Sequence, residues 1–211
     1  MTYLIISGGT VEQQVMQNTL SAYSFDGIIA VDKGIEACHM LGIQPNLVVG
    51  DFDSADDKIV RMYKTCCDFI TLNPHKDDTD TEYAITYAIE HDASRIILLG
   101  ATGTRYDHVI SNVGLLKKCV DKDIEAYIID AHNRISMIHR DTRVFKSEYP
   151  YISLLPYDGA VYHVVLKGFE YDGEDICFEA GTSLGVSNSI LSDYADITMK
   201  DGYLILFETK D

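Results

Sequence analysis

The sequence predicts an α/β protein in which an N-terminal doubly wound, mostly parallel sheet is followed by a C-terminal antiparallel β-sandwich. Up to about residue 131, short apolar runs that end in Gly or Asp alternate with segments of helical spacing, which is typical of parallel βα units. Beyond that point, β-rich runs are separated by Gly, Asp and Pro, which is typical of antiparallel strands joined by turns. We therefore expect two domains, residues 1–131 and residues 132–211.

In the N-terminal part, the alternation predicts six strands with five helices between them. The strands are expected at residues 3–7, 27–31, 47–49, 69–72, 95–99 and 125–129. The helices are expected near residues 11–21, 34–41, 55–65, 79–91 and 107–120. The C-terminal strands are expected in the runs RISMIHR, TRVFKS, YISLLP, VYHVVLKG, DICFEA and YLILFE. Because ligands of an open parallel sheet bind beyond the carboxyl ends of its strands, we look for chemistry in the residues that follow each N-terminal strand.

The charge and cysteine content exclude several classes of protein. A net charge of −16 repels nucleic-acid phosphates, so we expect no nucleic-acid partner. The acidic side chains either serve solubility or hold Mg²⁺ against a polyphosphate, and the same field favours a cationic second substrate. Five cysteines without a C-x-x-C pair fit a reducing cytoplasm. No apolar run approaches the roughly 18 residues of a membrane span and no signal peptide is evident, so we expect a cytoplasmic protein without a membrane partner.

Two aspartates follow the third predicted strand in the run Gly50-Asp51-Phe52-Asp53-Ser54. In an extended chain, residues two apart project in the same direction, so the carboxylates of Asp51 and Asp53 converge. Such a pair suits Mg²⁺, which is held by one or two protein carboxylates together with substrate phosphates. The alternative is a structural turn in which Ser54 is the N-cap of the next helix.

A second acidic run, His75-Lys76-Asp77-Asp78-Thr79-Asp80-Thr81-Glu82, precedes the fourth predicted helix. Thr79 and Glu82 have the spacing of a capping box, and acidic residues in a first turn are favoured by the helix dipole. Capping does not account for Lys76, which lies among these carboxylates. Lys76 either clamps a phosphate group or forms a salt bridge.

A glycine-bearing turn, Gly100-Ala101-Thr102-Gly103-Thr104-Arg105-Tyr106-Asp107-His108, follows the fifth predicted strand. Its backbone N–H groups are suited to cradling a phosphate. The turn has neither the G-K-[ST] of a P-loop nor the G-x-G-x-x-G of a dinucleotide site. The sequence therefore lacks the phosphate-binding motifs that a P-loop kinase and a dinucleotide dehydrogenase require. Arg105 is the residue best suited to grip phosphate oxygens. His108, one turn before Asn112, is either a hydrogen-bonded structural histidine or a site residue.

Six motifs together resemble one family, the thiamine pyrophosphokinases, over nearly the whole chain. In order, they are Asp32-Lys33-Gly34, Gly42-Ile43-Gln44-Pro45-Asn46, GDFDS at 50–54, Lys76 to Glu82, the turn at 100–108, and Gly185-Val186-Ser187-Asn188. The resemblance implies an N-terminal α/β domain that binds ATP and metal, a C-terminal β-sandwich, and a homodimer whose thiamine site lies between subunits. It also implies transfer of the diphosphate of ATP to the hydroxyethyl group of thiamine, which gives thiamine diphosphate and AMP.

The resemblance also implies roles for individual residues. The Mg²⁺ ligands would be Asp51, Asp53 and Asp80. The groups that bind ATP or thiamine would be Asp32, Lys76, Arg105, Asp107, His108, Ser187 and Asn188, with the last two and Asp107 on the thiamine side. Arg105 would assist the transfer, and either Asp80 or Asp107 would accept the proton of the thiamine hydroxyl.

Two positions depart from the family pattern. Lys33 stands where the family commonly has Gly, and Thr104 replaces the second Gly of a G-G-R turn. Both departures keep open a sensor that binds a nucleotide or thiamine without catalysis. A second alternative is a pyrophosphokinase that acts on another hydroxymethyl heterocycle, such as a pterin.

Overall fold

The structure, a computed structural model, describes residues 1–53, 55–73 and 78–211. The chain forms two compact units, Met1–Ala131 and His132–Asp211. Within the described ranges, no helix is both long enough and apolar enough to cross a membrane.

The described residues of the first unit form a six-stranded sheet in which every pairing is parallel. Its strands are β1 (Thr2–Ile6), β2 (Gly27–Val31), β3 (Leu47–Gly50), β4 (Asp68–Thr71), β5 (Arg95–Leu99) and β6 (Glu125–Ile129). Their order in the unit is β4-β3-β2-β1-β5-β6. Strands β2 to β4 are therefore added on one side of β1, and β5 and β6 on the other side. Such a switch point opens a crevice at the carboxyl ends of the strands. The predicted parallel α/β class is confirmed.

Five helices connect these strands: α1 (Gln13–Ala22), α2 (Gly34–Met40), α3 (Asp57–Tyr63), α4 (Asp80–Glu90) and α5 (Tyr106–Val120). The start of α3 differs from the prediction because its N-cap is Asp56, whose carboxylate accepts a 2.7 Å hydrogen bond from the N–H of Lys58. Capping by Asp56 satisfies an otherwise unpaired N–H of the first turn, so the helix begins later than its apolar spacing suggests.

The core of the first unit is formed by the central strands and the helices that cover them. In β1 and β5, the last four residues of each strand are buried, as expected of a parallel sheet that is covered on both faces. Leu4, Ile6, Ile97 and Leu99 are completely buried in one cluster with residues of α1 and α2. The buried strands therefore end together at one edge of the sheet, from which the following loops extend.

The second unit consists of seven strands and is described throughout. They are β7 (Asn133–Ile138), β8 (Thr142–Phe145), β9 (Tyr151–Tyr157), β10 (Val161–Lys167), β11 (Gly173–Phe178), β12 (Tyr194–Thr198) and β13 (Tyr203–Thr209). The antiparallel layers β7-β13-β9 and β11-β10-β12-β8 enclose a common apolar core, which is the arrangement of a sandwich. Strand β12 was not predicted from the sequence, because YADIT contains no long apolar run.

Candidate active site

A cleft of about 570 Å³ lies at the carboxyl edge of the parallel sheet. Its walls are the segments that follow β1, β2, β3 and β5, together with the first turns of α4 and α5. The lining includes Ser7, Gly9, Asp32, Lys33, Asp51, Asp80, Thr81, Arg105 and His108. Carboxylates, cationic groups and loop backbone thus face one space, as the strand-end argument predicts.

Three carboxylates converge in this cleft. One oxygen from each of Asp32, Asp51 and Asp80 lies within 4.8 Å of the others. Asp32 follows β2, Asp51 follows the neighbouring strand β3, and Asp80 is the first residue of α4. The backbone of Asp32 turns sharply with φ of 46°, and its N–H donates to Val49 O at 2.9 Å. Adjacent parallel strands therefore bring together acids that are far apart in the sequence.

The electrostatics of this group are unfavourable without a cation. Burial, a hydrogen bond with Asp80 and the charges of Asp80 and Asp51 raise the pKa of Asp32 to about 7. Among the described residues, Asp32 Oδ1 is also buried with no hydrogen-bond partner. Three hard oxygen donors and an unpartnered carboxylate oxygen fit Mg²⁺, which prefers such ligands.

Asp53, a predicted Mg²⁺ ligand, is exposed and lies outside this three-carboxylate group. Its backbone N–H donates to Asp51 Oδ1 at 3.1 Å, which is an Asx-type turn. The assignment of Asp53 as a ligand stays a prediction. Asp32, predicted only at the nucleotide end, takes the third place in the group, and its position after β2 is the signal by which it could have been found.

The start of α4 is fixed by two hydroxyl groups. Thr79 Oγ1 accepts a 3.1 Å hydrogen bond from the N–H of Glu82, so the predicted capping role of Thr79 is confirmed. Thr81 Oγ1 lies 3.0 Å from Ser7 Oγ at the end of β1. The Glu82 carboxylate pairs with Lys118 of α5. These contacts hold Asp80 against the sheet. Lys76, Asp77 and Ser54 lie outside the described residues.

The glycine-bearing turn after β5 is anchored from two sides. The buried Asn112 donates from Nδ2 to Ala101 O at 2.8 Å, and the N–H of Gly9 donates to Gly100 O at 2.9 Å. A Cβ atom at Gly9 would lie 2.3 Å from Thr102 O, so only glycine allows this approach. Asn112 is therefore a support of the cleft wall, which its spacing from His108 did not reveal.

Arg105 and Asp107 form an exposed ion pair at the entrance to α5. Arg105 Nη2 donates to Asp107 Oδ2 at 2.6 Å, and this hydrogen bond lowers the pKa of Asp107. Arg105 and the exposed His108 line the cleft. Lys33, at the N-cap position of α2, lines it as well and adds a second cationic side chain.

Ser187 and Asn188 lie in the second unit, which contains a separate cavity of about 320 Å³ with a mainly apolar lining. Asn188 lines that cavity, but its amide is occupied: Oδ1 accepts from the N–H of Tyr171 and Nδ2 donates to Tyr171 O, both at 3.0 Å. Ser187 is exposed, has φ of 60°, and donates its N–H to Ser153 Oγ at 3.0 Å. Asn188 therefore shapes its loop, whereas the Ser187 side chain faces solvent.

Together, the parallel sheet, the converging carboxylates and the cationic groups define a class of α/β proteins whose site suits a polyphosphate carried with a divalent cation. The comparisons are more specific. The family model described as the thiamin pyrophosphokinase catalytic domain matches residues 19–128, and the thiamin pyrophosphokinase vitamin B1 binding domain matches residues 136–204. The chain belongs to the thiamin pyrophosphokinase family, and the resemblance noted in the sequence is confirmed.

Individual relatives agree with the family models. A thiamine pyrophosphokinase of Bacillus subtilis is 31% identical over 186 residues, which are 87% of each chain. The crystal structure of a thiamine pyrophosphokinase from Bacillus subtilis superposes with a TM-score of 0.90 at 28% identity over 100% of both chains. A thiamin pyrophosphokinase structure from Geobacillus thermodenitrificans gives a TM-score of 0.87 at 29% identity, covering 100% of this chain and 98% of the other.

Proposed function

We propose that this protein transfers the diphosphate of ATP to the hydroxyethyl group of thiamine and releases AMP. The observation that carries the proposal is the three-carboxylate cleft, which lies within the segment matched by the catalytic-domain model. The relatives named thiamine pyrophosphokinase extend over both parts of the chain and support the same reaction. A sensor that binds without catalysis could dispense with the metal-binding carboxylates, but the cleft retains all three of them.

The residues of the cleft divide into metal-side and phosphate-side groups. Asp32, Asp51 and Asp80 would hold Mg²⁺, which supplies neutralising charge to the diphosphate when it is bound. On the phosphate side, Lys33 and Arg105 offer cationic groups at the same cleft, and the glycine-bearing turn offers backbone N–H donors. Lys76 is a third phosphate contact by family resemblance. These groups orient the polyphosphate and stabilise charge on the departing AMP.

The proton of the thiamine hydroxyl requires an acceptor near the transferred group. Asp80 lines the cleft and belongs to the carboxylate group, whereas Asp107 is absent from the cleft lining and is engaged by Arg105. The hydrogen bond from Arg105 lowers the pKa of Asp107, so its carboxylate is a weaker base than an unpaired aspartate. The contacts therefore support Asp80 as the acceptor, with Asp107 orienting Arg105.

On the thiamine side, we propose Ser187 and Asn188 as part of the binding site. We further propose a homodimer in which the thiamine site lies between subunits, as the family resemblance implies. The net charge of −16 favours a cationic heterocycle such as thiamine. Ser187 presents an exposed side chain, while Asn188 holds the loop through the backbone of Tyr171.

The test is the nucleotide product formed from ATP, Mg²⁺ and thiamine, with a pterin alcohol in a parallel reaction. Thiamine-dependent AMP with an equal amount of thiamine diphosphate is expected. ADP would mean transfer of a single phosphoryl group and would overturn the proposal. AMP formed only with the pterin would identify the rival pyrophosphokinase, and tight binding without turnover would identify a sensor.

A further inference from the structure

A second cleft of the first unit, of about 530 Å³, contains two adjacent thiols that the proposed reaction does not use. Cys66 and Cys67 line it, and their Sγ atoms are 3.8 Å apart. Both cysteines are free, and both immediately precede β4. Because the candidate active site lies beyond the carboxyl ends of the strands, this dithiol cleft is at the opposite edge of the sheet.

The backbone holds the two sulfurs side by side. The N–H groups of Cys66 and Cys67 both donate to Tyr63 O at 3.0 Å, and Gln44 Nε2 donates to Cys66 O at 2.9 Å. Cys66 is exposed, whereas Cys67 is half-buried against the core of the unit. The pair is therefore ordered before any ligand arrives, and one of its sulfurs is open to solvent.

The number of donors and the state of the thiols narrow the ligand class. Zinc sites in proteins use three or four protein ligands. In the part of the chain that the structure describes, no further His, Cys, Asp or Glu joins the two sulfurs closely enough to complete such a set. Burial and a hydrogen bond with Cys66 raise the pKa of Cys67 to about 11. The raised pKa keeps the Cys67 thiol protonated at neutral pH, so Cys67 is a poor attacking group in disulfide exchange, which requires a thiolate.

We propose that Cys66 and Cys67 form a two-sulfur binding site for a trivalent arsenical. An organoarsenic(III) oxide needs two thiols and carries its own third substituent. Two As–S bonds form, the bond between arsenic and its oxo oxygen breaks, and that oxygen leaves as water with both thiol protons. Neither arsenic nor sulfur changes its oxidation state, so the step requires no oxidant or reductant.

The experiment is a titration of the full, reduced chain with phenylarsine oxide, followed by intact mass measurement. We expect one bound equivalent that is released by excess 1,2-ethanedithiol and retained in excess 2-mercaptoethanol. Cys66→Ser should weaken binding by about 100-fold, because one sulfur replaces a chelating pair. Cys177→Ser is the matched control: Cys177 is a half-buried thiol of the second unit, and its loss should leave the stoichiometry unchanged.

Iodoacetamide mapping of the unsubstituted chain makes the test independent of how the variants fold. At saturating phenylarsine oxide, Cys66 and Cys67 should both be protected from alkylation, while Cys177 remains reactive. Continued alkylation of Cys66 would overturn the proposal. So would release of the arsenical by the monothiol, or a Cys66→Ser variant that binds as tightly as the unsubstituted chain.

Discussion

A Cβ atom at Gly50 would lie 1.9 Å from Asp32 Oδ1, so the glycine that ends β3 leaves the space in which the Asp32 carboxylate sits. Gly50 and Asp32 lie at the ends of the neighbouring strands β3 and β2, next to the candidate metal site. The absence of a side chain at Gly50 is therefore a condition for the convergence of the three carboxylates.

We expect Gly50→Ala to lower kcat/KM by about 100-fold, because displacing a positioned group by about 1 Å has an effect of this size. The rate of AMP formation at steady state measures this change in kcat/KM. Gly103→Ala is the matched control, since Gly103 lines the same cleft and a Cβ atom there would meet nothing within 4 Å. Equal losses in the two variants would contradict the role assigned to Gly50.

Asp53→Asn tests the metal ligand that was predicted from the sequence and that lies outside the three-carboxylate group. The family resemblance makes Asp53 a Mg²⁺ ligand, so we expect turnover to fall by about 100-fold at saturating Mg²⁺, because a carboxylate ligand is lost. The melting temperature should not change, since Asp53 is exposed. Asp57→Asn removes another exposed carboxylate, the ion-pair partner of Arg61, and should remain active. An active, Mg²⁺-dependent Asp53→Asn enzyme would remove Asp53 from the ligand set.

The raised pKa of Asp32 predicts a pH dependence of folding stability in the absence of metal. Between the ordinary value of 3.8 and about 7, the folded protein retains a proton that the unfolded chain has lost. Stability therefore decreases as the pH rises through this window, and the contribution levels off above it. In a chelator, the melting temperature should fall more steeply from pH 5 to pH 7 than that of Asp32→Asn. Parallel curves for the two proteins would contradict the prediction.

Asn112→Ala should impair both the fold and the cleft, because Asn112 Nδ2 donates to Ala101 O at 2.8 Å from a buried position. The carbonyl left without its donor lowers the free energy of unfolding by about 1–3 kcal/mol. Release of the turn should also raise the KM for ATP. Asn18→Ala on the exposed face of α1, where Asn18 accepts from Gln14, should change neither quantity. Denaturant unfolding measures the change in the free energy of unfolding, and initial rates at varied ATP concentration measure the change in KM.

Ser187→Gly tests the thiamine-side role of Ser187 without straining the backbone. The residue has φ of 60°, which glycine adopts freely, so the melting temperature should be retained. The KM for thiamine should rise because the exposed hydroxyl is lost. In contrast, Asn188→Ala should lower the melting temperature, since the amide hydrogen bonds to Tyr171 disappear. An unchanged thiamine KM in Ser187→Gly would remove Ser187 from the site.

Local patterns in the sequence were sufficient for most of the first unit. The strands at 27–31, 95–99 and 125–129 have the predicted bounds, because each is a short run dominated by apolar residues that ends at Asp or Gly. The N-cap at Thr79 was predictable from a spacing of three residues. In each case, the interaction that determines the structure lies within a few residues of the element.

The parts that were missed depend on contacts between distant segments. Asp32 joins Asp51 only because β2 and β3 are neighbours in the sheet, and strand order is not encoded in a local pattern. Glu82 pairs with Lys118, which lies on another helix. The anchoring of Ala101 by Asn112 likewise depends on how α5 packs. The acidic residues are therefore evident in the sequence, but which of them meet depends on the order of the strands.

The central position of β1 also affects how the chain emerges during synthesis. One edge of β1 pairs with β2 early, but the other edge pairs with β5 and stays open until residue 99 has been made. An open edge on a strand as apolar as TYLII is prone to pair with strands of other chains. Of the parallel pairings in the first unit, β1 with β5 joins the strands that are farthest apart in sequence, so this edge of β1 waits longest for its partner.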